Sequence, residues 1–153
     1  MSVTLDILNQ VKTVLSNDAT LKAYVQRFEL GARRNIAKSD YPIILIEPGT
    51  QTESYIAYPK VDGHFIVTVV GYTHVYDIEV QMTGDANYKG VLQMENDIKL
   101  ALGAKYPTLN GTVIEFTFPR TEFGVRHDLA EFPVRGVAID VDLHYRTQLD
   151  TRT

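Results

Sequence analysis

Two carboxylates on one predicted strand are the residues best placed to do chemistry. Asp140 and Asp142 lie in the run Gly-Val-Ala-Ile-Asp-Val-Asp-Leu-His-Tyr-Arg, which spans residues 136–146 and also contains His144. Alternate residues of a strand share one face, so the two carboxylates are neighbours whose pKa values can separate for acid–base catalysis. Catalysis also needs a pocket, and this regular alternation of polar and apolar residues is more typical of a solvated sheet face.

The four histidines do not show the spacing of a metal site. None of them belongs to a His-x-x-x-His or Glu-x-x-His pair on a predicted helix. His64, His74 and His144 fall on predicted strands and could meet across a sheet, although surface or strand-end positions are the commoner interpretation. His127 lies in a predicted connection. We therefore expect no metal ion and no cofactor.

Motifs for nucleophilic catalysis and phosphate binding are also missing from the sequence. The chain has no cysteine, which excludes thiol catalysis, disulfides and cysteine-based zinc sites. No Gly-x-Ser-x-Gly, Gly-x-Gly-x-x-Gly or phosphate-loop pattern occurs. We therefore expect that the protein is not an enzyme and has no catalytic residues. The alternative is a small-molecule-binding or hydrolytic domain that uses the sheet face around Asp140, Asp142 and His144.

Length and composition indicate one globular domain. The chain has 153 residues, of which 44% are hydrophobic, so it can bury a core without disulfides or metal. Its formal net charge of -4 argues against a protein whose main task is to grip a phosphate backbone. The N-terminus lacks the regions of a signal peptide, and no apolar run is long enough to cross a bilayer. These features predict a soluble intracellular protein with no membrane partner.

Helical spacing of apolar residues predicts three helices. Thr4 is expected to cap the first helix, and Asp18 is expected to cap a short second one. The longest helix is predicted for residues 86–102, between Asp85 as its cap and Gly103 as its stop. The apolar face of the first helix consists of Leu5, Leu8, Val11 and Leu15, widened by Ile7 and Val14. The apolar stripe of the longest helix consists of Val91, Met94, Ile98 and Leu102.

Alternating or continuous apolar residues predict the strands. We expect a short strand at residues 28–30, a strand buried on both faces at 41–49, and further strands at 64–76, 112–118 and 136–146. Residues 119–133 are expected to form a polar connection. The order of helices and strands predicts an α+β fold with a mixed, mainly antiparallel sheet and helices packed mostly on one face. Residues 1–148 are expected to form one domain, and residues 149–153 a loose tail.

Two segments carry aromatic residues in polar surroundings. Residues 50–61 are expected to form an extended arm or hairpin, in which Tyr55, Ile56 and Tyr58 find little core in a monomer. Tyrosine is enriched at protein interfaces. A second interface is expected at residues 120–132, which contain Arg120, Phe123 and Arg126. The alternatives are that the arm folds back over its own aromatic residues, and that the second segment simply faces solvent.

The layout of the whole chain resembles a known family. An N-terminal helix precedes the string Tyr-Pro-Ile-Ile-Leu-Ile-Glu-Pro-Gly, and a later helix contains Tyr-Lys-Gly-Val-Leu-Gln-Met-Glu-Asn-Asp-Ile. The chain then closes with Val-Ala-Ile-Asp-Val-Asp-Leu-His-Tyr-Arg. In element order and length, this layout resembles the tail terminator (tail completion) and head–tail joining proteins of tailed bacteriophages and prophages.

This resemblance implies a structural role rather than catalysis. It implies a subunit that assembles into a homo-oligomeric ring, commonly a hexamer, which contacts the tail tube and head-completion proteins. DNA passes through such a ring without being specifically bound. The subunit is then a virion component that is assembled in the cytoplasm of the host bacterium. A generic protein-interaction adaptor remains an alternative.

Overall fold

The fold is α+β, as predicted. A computed structural model describes residues 3–31, 36–57, 59–73, 78–85, 88–126 and 134–148. Within these residues there are four α-helices and one five-stranded sheet. Tyr58, His74, His127 and the predicted tail at residues 149–153 lie outside the described residues.

The sheet is mixed and mainly antiparallel, with strand order β1-β2-β3-β5-β4. The β1–β2 pair is parallel, and the other three pairs are antiparallel. The two long strands β3 and β5 lie side by side in the middle of the sheet. The strands are β1 Arg27–Leu30, β2 Ile43–Ala57, β3 Lys60–Thr73, β4 Glu115–Arg126 and β5 Val134–Gln148.

The helices cover one face of the sheet. Helix α1 contacts β1 and β2, and α4 contacts β3 and β5. The helices are α1 Val3–Asn17, α2 Ala19–Lys22, α3 Ile78–Thr83 and α4 Val91–Gly103. A 3-10 turn at Lys38–Asp40 precedes β2. Of the helices in the described residues, none is both long enough and apolar enough to cross a bilayer.

The main core lies between the helices and the sheet, and β5 supplies much of it. The five alternating apolar residues of the last strand are all buried there, as predicted: Val137, Ile139, Val141, Leu143 and Tyr145. Each such side chain stabilises the fold by about 1.5–3 kcal/mol before the loss of conformational entropy is subtracted. The predicted stripe of α4 faces them, and all four of its residues are buried.

The predicted face of the first helix was partly wrong. Helix α1 already includes Val3, so Thr4 lies in its first turn and is not its cap. Leu5 is 52% exposed, whereas Ile7 and Val14 are buried with Val11 and Leu15. Residues rotate by about 100° each around a helix, which places Leu5 on the side opposite Ile7. Ile7 and Val14, which were expected only to widen the apolar face of α1, therefore lie at the centre of that face.

A short helix and a half-buried tyrosine join the N-terminal region to α4. Asp18 caps α2 as predicted, because its Oδ2 accepts a hydrogen bond from the Leu21 N–H at 3.1 Å. The Tyr24 hydroxyl then donates to Asp97 Oδ2 of α4 at 2.8 Å. Burial, and then this bond to an acidic group, raise the pKa of Tyr24. Tyr24 therefore remains a neutral donor.

The longest predicted helix begins later than expected. Helix α4 starts at Val91, and the Gln93 side chain accepts a hydrogen bond from the Gly90 N–H at 3.1 Å. Asp85 instead accepts from the Tyr88 N–H, so it does not cap α4. A turn separates α4 from the unpredicted helix α3, and Gly84 adopts a φ of 77° in it. Residues 88–90 therefore lie outside the helix. Helix α4 includes Gly103 as its last residue, one position later than predicted, and Ala104 is its C-cap.

Two strands run through prolines that were predicted to end them. Strand β2 continues past Pro48 to Ala57, and β4 continues past Pro119 to Arg126. The predicted connection from residue 119 was therefore wrong up to Arg126. Each proline lies at a register shift, between Pro48 and Gln51 or between Thr117 and Arg120. Proline lacks an N–H donor, and bulges or edge positions accommodate it without loss of a ladder hydrogen bond.

The opposite face of the sheet is covered at one end by a smaller apolar cluster. This cluster consists of Ile36, Tyr41, Ile43, Leu45, Val70, Tyr72 and Val134. Beyond it, polar residues of β3 and β5 occupy the surface. We call this region the open face, and it carries Asp62, His64, Thr68, Asp140, Asp142, His144 and Arg146.

Candidate functional site

Two histidines lie directly opposite each other on the open face. His64 of β3 pairs in register with His144 of β5. Their rings are stacked, with centroids 4.5 Å apart and an angle of 3° between the planes. The prediction that histidines could meet across the sheet is therefore confirmed for these two residues.

Each of these histidines has its own carboxylate partner. His64 Nδ1 lies 3.0 Å from Asp142 Oδ1, and His144 Nε2 lies 2.7 Å from Asp62 Oδ1. An ionised carboxylate can only accept, so in both pairs the ring nitrogen donates. The resulting row of four side chains has the two rings in its middle and one carboxylate at each end.

The sequence carries a signal for this arrangement that a search for helical histidine pairs does not find. The string Asp-x-His occurs twice, at residues 62–64 and 142–144. Antiparallel pairing brings the two strings together, so that the aspartate of one string binds the histidine of the other. Asp62 was not among the expected residues because it lies next to the predicted arm and not on the last strand.

Asp62 is held in its ionised form by two donors. Arg146 Nε lies 3.0 Å from the Oδ1 atom that also accepts from His144. The hydrogen bond from His144, and then the one from Arg146, lower the pKa of Asp62. The negative charge of Asp62 is therefore stabilised in the folded chain.

The expected pair of carboxylates does not share a site. Asp140 accepts a hydrogen bond from Thr68 Oγ1 at 2.9 Å, while Asp142 binds His64. Because each carboxylate has its own donor, the pair has no common proton with which to do acid–base work. Surface pockets of the described residues lie beside Phe123, Tyr88 and Ile56. Asp140, Asp142 and His144 line none of these three pockets.

The arm, residues 50–61, is exposed along its β2 part. The first four residues of β2 are buried, but every residue from Pro48 to Ala57 is exposed. Tyr55 is 60% and Ile56 is 56% exposed, so the arm does not fold back over these two side chains. Both expected interface residues are therefore available to a partner.

The arm extends past the end of β1, the strand that borders β2 in the described residues. At about 3.4 Å per residue, the 15 residues of β2 span roughly 50 Å. In the described residues, β1 pairs with β2 only from Ile43 to Ile46. Beyond that point, alternate backbone groups on the outer edge of β2 have no partner strand among the described residues.

A tyrosine from β5 fixes the arm to the rest of the sheet. The Tyr145 hydroxyl accepts a hydrogen bond from the Gln51 side chain at 2.6 Å and donates to Glu53 Oε1 at 3.0 Å. Both partners lie on β2, and β3 runs between β2 and β5. Burial raises the pKa of Tyr145, so its hydroxyl remains a donor. The clamp thus spans three strands at the base of the arm.

The second group of expected interface residues lies on β4, at the other edge of the sheet. Arg120 forms an exposed ion pair with Glu122, and Phe123 is 46% exposed. Arg126 ends the strand at the last described residue before a gap. The structure therefore does not bring this group together with Tyr55 and Ile56, which lie beyond the opposite edge.

Comparison with models of known protein families and with curated protein sequences finds no match for the chain.

Proposed function

We propose that this chain is a non-enzymatic structural subunit of a bacteriophage or prophage tail. In this proposal it assembles into a closed ring that terminates the tail tube and joins the tube to the head. The resemblance in element order and length motivates the family. The shape of the folded subunit supports the mode of assembly.

The observation that carries the proposal is the presence of two unlike surfaces at opposite edges of one sheet. One is the arm, with exposed Tyr55 and Ile56 and an outer edge that no other strand of the described residues covers. The other is β4, with exposed Arg120 and Phe123. A ring requires a heterologous interface, in which one patch of a subunit binds a different patch of the next subunit. Addition of a strand to a free sheet edge is an established way to make such a contact.

The chemistry of the two surfaces differs in a way that suits head-to-tail pairing. The outer edge of β4 contains Pro119 and the charged side chains of Arg120 and Glu122, which are features that discourage strand pairing. The arm after Pro48 has no proline up to Ala57, and its pairing with β3 is in regular register from Gln51 to Tyr55. We propose that the arm reaches onto the neighbouring subunit and that β4 receives it mainly through side chains.

The partners of the ring follow from the same proposal. Six copies are expected in a ring that contacts the tail tube protein on one side and head-completion proteins on the other. DNA passes through the lumen without specific binding, and a chain with a net charge of -4 does not hold it there. The ring is a virion component assembled in the cytoplasm of the host bacterium.

Electron microscopy tests the proposal on the purified chain. We expect rings of uniform diameter, and we expect them at the ends of tail tubes when tubes of the encoding phage or prophage are added. Absence of rings under both conditions contradicts the proposal.

A second candidate function uses the two histidine–carboxylate pairs of the open face. A histidine oriented by an aspartate is an arrangement that general bases use. Hydrolysis of an activated ester by the wild-type chain, abolished in a His64→Gln variant, would favour this hydrolytic function. Equal background rates in the two proteins would exclude it for that substrate class.

A further inference from the structure

The side chains of Asp62, His64 and His144 converge at the base of the arm. One nitrogen of each imidazole and one carboxylate oxygen of Asp62 lie within 4.8 Å of one another. The His64 side chain is 47% exposed, so an ion can reach the group from solvent. We propose that these three residues form a binding site for one divalent transition-metal ion of the zinc class.

The donor set selects the class of ion. Two imidazole nitrogens and one carboxylate oxygen suit zinc and its neighbours among the divalent transition metals, whereas magnesium and calcium prefer oxygen ligands alone. Three protein ligands also leave the fourth tetrahedral position for water, which is a common zinc arrangement. Zinc is therefore the ion with which to test the site.

A fourth residue orients one of the ligands. In metal sites, the ring nitrogen that does not bind the ion usually donates to a carboxylate. Asp142 Oδ1 accepts from His64 Nδ1 at 3.0 Å, which leaves the lone pair of that ring on Nε2. No group in the described part of the chain hydrogen-bonds to His64 Nε2. His64 thus already has the tautomer and the support of a metal ligand.

Zinc binding requires both imidazole rings to rotate out of their stacked arrangement. Zinc–nitrogen bonds of about 2.0–2.1 Å place tetrahedral ligand atoms about 3.3 Å apart. His144 Nε2 and Asp62 Oδ1 are 2.7 Å apart and must separate slightly, and the proton on His144 Nε2 must leave that nitrogen before it can bind zinc. The two rings are stacked in parallel planes, so they must also rotate until both planes meet at the ion. Arg146 competes with the ion for Asp62, but its side chain is 64% exposed and can move away.

The bound ion links β3 to β5 within a single subunit. This inference does not rest on the proposed function, because neither ring assembly nor a tail partner is needed for it. Its expected consequence is that zinc raises the melting temperature of the chain. Magnesium at the same concentration has no such effect.

Isothermal titration calorimetry of the full chain, stripped with a chelator and then titrated with zinc chloride, tests the site. We expect one zinc per chain and no heat from magnesium chloride. His144→Gln weakens zinc binding more than tenfold. Asp142→Asn, which removes only the supporting carboxylate, weakens it by about 10–100-fold.

Two further variants of the open face serve as controls. Asp140→Asn removes a neighbouring carboxylate that binds Thr68, and we expect unchanged affinity. Arg146→Gln removes the competing cation, and we expect tighter binding. Circular dichroism checks that every variant is folded. Zinc affinity that is the same in His64→Gln, His144→Gln and wild type places zinc elsewhere, for example on His74 or His127, and overturns the proposal.

Discussion

Gly63 lies directly opposite Tyr145 on the neighbouring strand, and the tyrosine ring covers the glycine. A β-carbon at position 63 would come within 2.6 Å of the Tyr145 hydroxyl oxygen. Tyr145 is 2% exposed and holds two residues of β2 through that oxygen. The absence of a side chain at Gly63 is therefore what allows the clamp at the base of the arm to form.

Substitution of this glycine is expected to destabilise the fold. Gly63→Ala pushes a methyl group into the ring of Tyr145. That ring cannot easily move away, because it is buried and its hydroxyl is hydrogen-bonded to β2. Overpacking of this kind costs about 1–3 kcal/mol in the free energy of unfolding. Urea denaturation measures the loss. Gly124→Ala is the matched control, because a β-carbon there meets nothing within 4 Å, and a similar loss in both variants would refute the role of Tyr145.

Removal of the Tyr145 hydroxyl is expected to weaken the clamp without opening a large cavity. Tyr145→Phe keeps the ring over Gly63 but loses the hydrogen bonds to Gln51 and Glu53. We expect a loss of about 1 kcal/mol in the free energy of unfolding. Hydrogen exchange should show the loss as faster exchange of the β2 amides near Gln51. Unchanged stability and unchanged exchange would contradict the clamp.

The pH dependence of stability should reveal the charge of Asp62. Its partners lower its pKa below the ordinary value of 3.8, so its stabilising effect is complete above that value. As pH falls through the lower pKa of the folded state, the carboxylate is protonated and the stabilising effect disappears. Wild type should therefore melt above Asp62→Asn at pH 6, and the gap should shrink below about pH 4. A gap that is equally large at about pH 2 would contradict this assignment.

The exposed residues of the arm should matter for assembly and not for folding. Tyr55→Thr combined with Ile56→Thr places a β-branched, strand-favouring residue at both positions but removes the exposed apolar area. Surface changes of this kind alter stability by about 0.5 kcal/mol or less, so the melting temperature should not change. Sedimentation velocity should show smaller assemblies than in wild type.

A variant elsewhere controls for the loss of apolar surface alone. Leu100 is 63% exposed on α4, far from the arm along the chain, and Leu100→Gln keeps a good helix former. We expect this variant to assemble as wild type does. Equal assembly in the arm variant and in wild type would show that the arm is not the interface.

Period-two and helical patterns predicted the buried parts of the fold. The alternation from Val137 to Tyr145 and the stripe of α4 were confirmed because burial on one face leaves a direct trace in the sequence. The ends of β2 and β4 were wrongly predicted at Pro48 and Pro119. Both strands continue past these residues, since a bulge near a sheet edge tolerates proline. The turn between α3 and α4 was missed for a similar local reason, because it depends on the backbone conformation of Gly84.

The open face shows the limit of reasoning along one strand at a time. Asp140 and Asp142 attract attention because they are near in sequence, yet their partners are Thr68 and His64 on the neighbouring strand. Those pairs depend on the register between β3 and β5. The two residues of each pair are far apart in sequence, by 78 positions for His64 and Asp142 and by 72 for Thr68 and Asp140. No tight turn joins β3 to β5, so turn geometry does not fix their register, which follows from burial of their apolar faces.

Native mass spectrometry of the purified chain at increasing concentration tests ring formation most directly. We predict one closed species at six times the 17.2 kDa mass of the chain, with no ladder of larger open assemblies. A chain that stays at its monomer mass at every concentration would contradict ring formation.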